Sequence, residues 1–305
     1  MIGAPLSRIL AALYLDLGKG DHRRSVFLAG SGRSGTTWLS EIINHRGDYR
    51  YVFEPFNPRE VGVFKHFRSK QYLRPDDRRE EFLEPARLVL TGGLRNPWTD
   101  RFHGRFVARR RLIKDIRANL LLGWMNANFP GMPIILLLRH PCAVVASRLA
   151  LGWKDNLSVT MEQEELVEDF LLPMEAEIRA ARDDFERHLF LWCIDNYVPL
   201  KQFETGQIHL AFYENLLVNP EEELGSLFAF LGEDLDSRAF GNLERPSPLS
   251  RKNAPAPSVD GWRSQTSPRR LERTIEVLNL FGLDRLYGDG AMPNPSGALM
   301  DRVRE

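Results

Sequence analysis

The chain has 305 residues, enough for one large core, and its 41 Lys/Arg balance its 41 Asp/Glu, so net charge gives no global signal for nucleic acid. Its two cysteines, Cys142 and Cys193, exclude a disulfide framework or a cysteine-based metal cluster and point to a reducing, cytoplasmic setting. In chain order, residues 1–24 open with an amphipathic helix in which Leu6, Ile9, Leu10, Leu13, Tyr14 and Leu17 recur at helical spacing. The apolar stretch is too short to span a membrane and no small-residue cleavage site follows it. Docking on its own domain is its expected role, with peripheral contact to a lipid surface as the second reading.

Residues 25–30 follow as a strand, with Val26, Phe27 and Leu28 as its apolar run. Gly30, Gly32 and Gly35 then punctuate a tight loop, and a helix is expected over 36–46. Strand, glycine-rich loop and helix N-terminus in that order form an anion cradle, because the backbone can approach a ligand and the first helical N–H groups point at its oxygens. Gly30-x4-Gly35 nearly has P-loop spacing, but Thr36 stands where the lysine should be and the cation, Arg33, lies inside the loop. That displacement argues against an ordinary ATP-dependent phosphotransferase.

Further strands are expected at 51–53, 111–114, 133–139 and 208–212. Further helices are expected at 118–129, 141–151, 162–203 (broken near Pro173 and Pro199) and 220–231. Alternating strands and helices predict a parallel central sheet flanked by helices, with anions bound at the C-terminal strand ends. The run Ile134 to Leu138 has the continuous apolarity of a strand buried on both faces. It ends in Arg139-His140-Pro141, where a kinase or ATPase would carry a magnesium-binding aspartate. Pro246, Pro248, Pro255 and Pro257 mark a long lid-like loop at 244–268, and 291–305 reads as a tail. Cys142, at a helix start beside Arg139, is expected to be packed and inert.

Arg33-Ser34-Gly35-Thr36-Thr37-Trp38 resembles the 5′-phosphosulfate loop of the sulfotransferases that use 3′-phosphoadenosine-5′-phosphosulfate (PAPS). Arginine in first position is similar to Golgi carbohydrate, tyrosylprotein and many bacterial members. The resemblance implies a P-loop-like sulfotransferase domain over 25–290. Gly32, Arg33, Ser34, Gly35, Thr36 and Thr37 would hold the phosphosulfate, and Trp38 would lie against the adenine. Arg139 and Ser147 resemble the family's 3′-phosphate motif, and an arginine fork suits a phosphate because it donates two charge-assisted hydrogen bonds. Tyr213-Glu214-Asn215 is similar to the segment whose tyrosine contacts the adenine. Ser250-Arg251-Lys252-Asn253, with Gly261-Trp262 downstream, partly matches the segment that closes over the 3′-phosphate, which assigns Arg251 and Lys252 to the donor. Phe281-Gly282-Leu283 and Leu286-Tyr287 resemble the terminal helix segment of bacterial members. The resemblance requires no metal.

Cytosolic members take the acceptor proton with a histidine; the corresponding position here is Ile116, in Leu112-Ile113-Lys114-Asp115-Ile116. Carbohydrate and tyrosylprotein relatives use a carboxylate, and Glu54, at the end of Tyr51-Val52-Phe53 and followed by Pro55, fits that role. Glu54 is therefore the expected catalytic base, Lys114 and Arg33 the expected stabilisers of charge on the bridging oxygen, and Asp115 the reserve base. The competing reading of Glu54 is a structural ion pair with Arg33 or Lys114. His66 and His103 are further candidate bases, with a surface position the expected reading. Acceptor choice is assigned to an insertion at 57–111, whose residues 59–111 hold 14 Lys/Arg against 7 Asp/Glu, with Phe56, Phe64, Phe67, Tyr72, Trp98 and Phe102 available to line a site. The expected reaction moves a sulfuryl group to a hydroxyl of a carbohydrate-like acceptor, a lipid or a natural product. A small-molecule kinase with an atypical P-loop and a non-catalytic nucleotide-binding module are the alternatives. Oligomeric state is not legible.

Overall fold

The computed structural model describes residues 15–104, 107–243 and 258–294. In chain order its strands are β1 (Leu15–Asp16), β2 (Ser25–Gly30), β3 (Tyr49–Phe53), β4 (Val107–Ala108), β5 (Arg110–Asp115), β6 (Ile134–Leu138) and β7 (His209–Phe212). β1 and β4 pair with each other, and the other five form one parallel sheet in the order β3-β5-β2-β6-β7. The chain goes outward from β2 to β3, returns to β5 and then crosses to β6 on the other side of β2. That reversal opens a crevice at the C-terminal end of β2, where an open α/β sheet binds its ligand.

The sheet is buried on both faces, as its unbroken apolar runs require. Phe27, Ala29, Val52, Ile113, Ile134, Leu136 and Leu138 face one core. That core also contains side chains of α3 (Leu122–Asn128), α4 (Pro141–Ala150), α5 (Asp184–Gln202) and α8 (Pro268–Leu280). Val26, Leu28, Tyr51, Phe53, Leu112, Ile135 and Leu137 face the other, against α1 (Thr36–Ile43), α6 (Tyr213–Val218) and α7 (Pro220–Leu231). The five predicted strands are all present, each within two residues of its expected ends.

Several helical expectations are corrected. The stretch 162–203 breaks not at Pro199 but before Asp184, where the Asp183 side chain accepts the Glu186 N–H at 2.9 Å and caps α5. Pro199 stays inside α5. Its missing N–H frees the Asp195 carbonyl one turn earlier, and Asn119 Nδ2 donates to that oxygen at 3.0 Å. The residues 167–171 form a π-helical turn leading into a 3-10 turn at Leu172–Met174, so the break near Pro173 is a change of helix type. The helices α2 (Glu80–Leu90) and α8 lie outside the expected elements. Of the N-terminal helix, residues 1–14 lie outside the described residues. Its last predicted member, Leu17, follows the strand β1, where Leu15 and Leu17 are exposed and Asp16 is buried, an alternation of period two.

Asp16 explains that local strand. It accepts Arg111 Nη1 at 2.9 Å and lies 3.6 Å from Arg50 Nη1, while Arg50 also bonds Asp100 at 2.9 Å. This buried ion network ties β1, β3, β5 and the segment around Asp100 together at the sheet end opposite the crevice.

Candidate active site

The loop after β2 turns on a hydrogen bond from Ser34 N to Ser31 O at 2.9 Å. Arg33 has φ 82° and Gly35 has φ 102°, so the backbone passes twice through the left-handed region. A Cβ at Gly35 would approach Tyr213 Cδ2 to 2.8 Å, so that position needs glycine both for its φ and for its neighbour. α1 begins with no side-chain cap and no acidic residue in its first turn. Its leading N–H groups therefore remain for an anion. Ser34 Oγ is buried and makes no hydrogen bond, which fits a ligand rich in oxygens at this loop.

The β6 limb meets the same loop. Arg139 Nη1 donates to Arg33 O at 3.3 Å, and Arg33 Nε donates to Ser147 Oγ at 3.0 Å. The Arg139 guanidinium lies 4.0 Å over the Tyr213 ring, and Trp38 packs beside that ring at 5.2 Å. Trp38 is itself buried, with its indole N–H on Leu243 O at 3.2 Å. The expected donor residues Gly32, Arg33, Ser34, Gly35, Thr36, Thr37, Trp38, Arg139, Ser147 and Tyr213 are thus gathered at one end of the sheet. Arg251 and Lys252 lie outside the described residues.

A buried scaffold holds the Arg139 turn. His140 N donates to Glu214 Oε1 at 2.8 Å, and Tyr287 OH donates to Glu214 Oε2 at 2.9 Å. The His140 ring stacks on Trp262 at 4.1 Å, and its Nδ1 accepts the Cys142 N–H. Burial lowers the His140 pKa to about 4, so the ring is neutral. Trp262 and Tyr287, which lie in the two C-terminal segments that resemble the family, therefore brace this turn. Cys142 is packed as expected, and burial raises its pKa.

Glu54 and Lys114 face each other across the ends of β3 and β5. Lys114 Nζ donates to Glu54 Oε1 at 2.6 Å, and Arg117 Nη1 donates to Glu54 Oε2 at 2.6 Å. Burial pushes the Glu54 carboxyl up, but the two cations outweigh it and its pKa is lowered. Burial likewise lowers Lys114, with Glu54 opposing. Glu54 has φ 42°, and the Trp98 indole N–H holds its carbonyl at 3.1 Å. Arg101 lies 3.9 Å over Trp98 and 4.1 Å over Phe53 beside this group. Asp115 is fully buried and accepts the N–H groups of Phe56 and Arg117 at 2.8 and 2.7 Å, a loop-fixing role, with burial raising its pKa to about 6.

Four residues joined to these groups carry no local motif that signals it: Arg117 bonds Glu54, Asp195 accepts Ser31 Oγ, Arg148 donates to Gly32 O, and Lys70 pairs with Asp195. Asp195 is the lone carboxylate in the apolar stretch Leu189–Val198 of α5, and that isolation was the available signal. The basic excess of 59–111 is also corrected. Lys70, Arg68, Arg74, Arg110 and Arg111 pair with Asp195, Glu162, Asp169, Glu233 and Asp16, all outside that stretch. Phe56, Phe64, Phe67 and Tyr72 are core residues, with Phe56 and Phe64 rings 4.6 Å apart. Of the six aromatics expected to line a site, Trp98 is partly buried and Phe102 exposed, both packing on Phe53 next to Glu54. His66 is exposed, as expected.

Residues 25–237 match the model described as "Sulfotransferase family". Nodulation protein NoeE of Sinorhizobium fredii (strain NBRC 101917 / NGR234) is 24% identical over 282 residues, covering 85% of this chain; the chain spans 64% of that protein's length. Among solved structures, the sulfotransferase domain from the curacin biosynthetic pathway aligns with TM-score 0.47 and 16% identity, covering 83% of this chain and 96% of that one. The sulfotransferase from Alicyclobacillus acidocaldarius aligns with TM-score 0.44 and 18% identity, covering 85% and 93%. Mouse sulfotransferase SULT7A1 complexed with PAP aligns with TM-score 0.47 and 16% identity, covering 96% and 91%. With the family match spanning the loop after β2, the Arg139–Ser147 segment and the Glu54 group, this chain belongs to the sulfotransferase family.

Proposed function

We propose that the protein transfers the sulfuryl group of PAPS to a hydroxyl, with a carbohydrate-like acceptor preferred over a lipid or natural-product one. The single observation that carries the donor reading is the contact of Arg33 with Ser147 beside Arg139. It joins a 5′-anion loop to a second arginine–serine phosphate grip, and ATP has no group for that second grip. In this reading the α1 N-terminus and Arg33 hold the phosphosulfate, Arg139 and Ser147 hold the 3′-phosphate, and Trp38 and Tyr213 flank the adenine.

The acceptor oxygen attacks sulfur as the bond from sulfur to the phosphate bridging oxygen breaks, leaving 3′,5′-adenosine bisphosphate (PAP). Glu54 receives the hydroxyl proton. Lys114 and Arg117 keep Glu54 ionised at neutral pH, at the cost of basicity. As charge grows on the bridging oxygen, Lys114 turns toward it with Arg33, and Glu54 loses one of its two cations just as it takes the proton. Asp115 is disfavoured as base because its oxygens are committed to backbone N–H groups. The two free, buried cysteines suit a reducing, cytoplasmic location.

Titration calorimetry with PAP, ATP and ADP tests the donor reading. Preference for PAP, lost in Arg139→Ala, supports it; preference for ATP overturns it. A panel of sugar, lipid and aromatic hydroxyls with PAPS then tests the acceptor class.

A further inference from the structure

We propose that Lys70 is a positioning residue of the donor site. Its ammonium fixes Asp195, and Asp195 in turn fixes the Ser31–Gly32 turn, so that the loop binds its anion tightly only while Lys70 is charged. The inference rests on the donor reading above.

Lys70 belongs to the 57–111 segment, far in sequence from the loop, yet its Nζ contacts both carboxylate oxygens of Asp195. Asp195 Oδ2 accepts Ser31 Oγ at 2.8 Å. Arg148 Nη2 lies 3.7 Å from the same oxygen, and Arg148 Nε donates to Gly32 O at 3.1 Å. One carboxylate thus joins Lys70, α4 and the first half of the loop. The backbone at Lys70 is held deliberately: it has φ 60°, a left-handed conformation that is uncommon outside glycine. Gln163 pins the segment there, donating from Nε2 to Lys70 O at 3.0 Å and accepting Tyr72 N at 2.8 Å.

The charges within this group do not cancel. Asp195 from α5 faces Lys70 and also Arg148 from α4, and Arg117, after β5, acts on Lys70 from the Glu54 side. Two cations share one buried carboxylate beneath a loop built for an anion, so a bound phosphosulfate completes the neutralisation. Burial lowers the Lys70 pKa to about 8, with Asp195 opposing and Arg148 and Arg117 adding to the fall. Above that pH Lys70 becomes neutral, the excess positive charge disappears, and the Asp195–Ser31 support loosens. A bound anion reverses this by favouring the charged lysine, so affinity and lysine protonation are linked.

The test is calorimetric affinity for PAP from pH 7 to 9.5 in the full chain, for wild type, Lys70→Met and Lys70→Arg. Wild type is expected to weaken about tenfold across that range, the factor for a one-unit coupling. Lys70→Met should be weak at pH 7 with little further loss, and Lys70→Arg should bind well with a flat profile because arginine stays charged. A Lys70→Met profile parallel to that of wild type, or a Lys70→Arg profile that retains the slope, overturns the inference. Should Lys70→Met fail to fold, Lys70→Arg alone decides. Wild type that prefers ATP at every pH overturns the donor reading instead, so the two failures are distinct.

Discussion

Arg33 and Ser147, 114 residues apart, are joined by a 3.0 Å hydrogen bond from the guanidinium Nε to the hydroxyl. The bond links the loop after β2 to the second turn of α4; in the proposed donor reading it sets the two phosphate grips relative to one another before a donor arrives. Ser147→Ala removes a donor contact and this preorganisation together. PAP affinity is expected to fall about tenfold, in line with loss of one charge-assisted hydrogen bond of about 1.5 kcal/mol. Calorimetry checks it; unchanged affinity would remove Ser147 from the donor site.

Glu54→Gln separates base from ion pair. With Glu54 as base, kcat should fall at least about 100-fold while PAP affinity changes little. The same substitution leaves Lys114 and Arg117 without their carboxylate, so a loss of about 3 kcal/mol in urea denaturation is expected as well. Full activity in a destabilised variant would assign Glu54 to structure.

Gly35→Ala tests the loop. Its φ of 102° and the 2.8 Å approach to the Tyr213 ring leave no room for a methyl group, so the loop or Tyr213 must move. Stability should fall by about 1–3 kcal/mol, and PAP binding should weaken more than it does in Ser147→Ala. Denaturation together with calorimetry reads both effects.

The His140 ring gives stability a pH dependence. Its folded pKa, about 4, lies below the ordinary value of 6.5, so the unfolded chain takes up the proton first. The contribution is present above pH 6.5 and is lost as pH falls toward 4. His209, also near 4 through burial, acts in the same direction. Urea melts at pH 7 and pH 5 should show His140→Gln losing less stability over that interval than wild type does. An equal loss would mean that His140 does not titrate as its burial requires.

Much of this protein was legible in the sequence. Continuous apolar runs marked the strands because a parallel sheet is buried on both faces, and local spacing marked the loop because left-handed backbone and free helix N–H groups depend on glycine and on nearest neighbours. The places of Glu54, Lys114 and Arg139 at one end of the sheet were legible because each sits at or next to a strand end, and that of Arg33 because it lies in the loop that follows β2. The remainder depends on side chains that meet only when distant segments pack. Arg117 reaches Glu54, and Lys70 reaches Asp195 across 125 residues, and no local pattern encodes either contact. The basic stretch at 59–111 read as a surface field because its counter-charges lie elsewhere in the chain, and folding brings them in as ion pairs. Pro199 read as a helix break because sequence could not supply Asn119, whose side chain satisfies the carbonyl that the proline abandons. Secondary structure and the anion loop are set by local sterics and hydrogen-bonding geometry; the partners of buried charges are set by the tertiary fold, because a charge removed from water must find its counter-ion wherever packing delivers one.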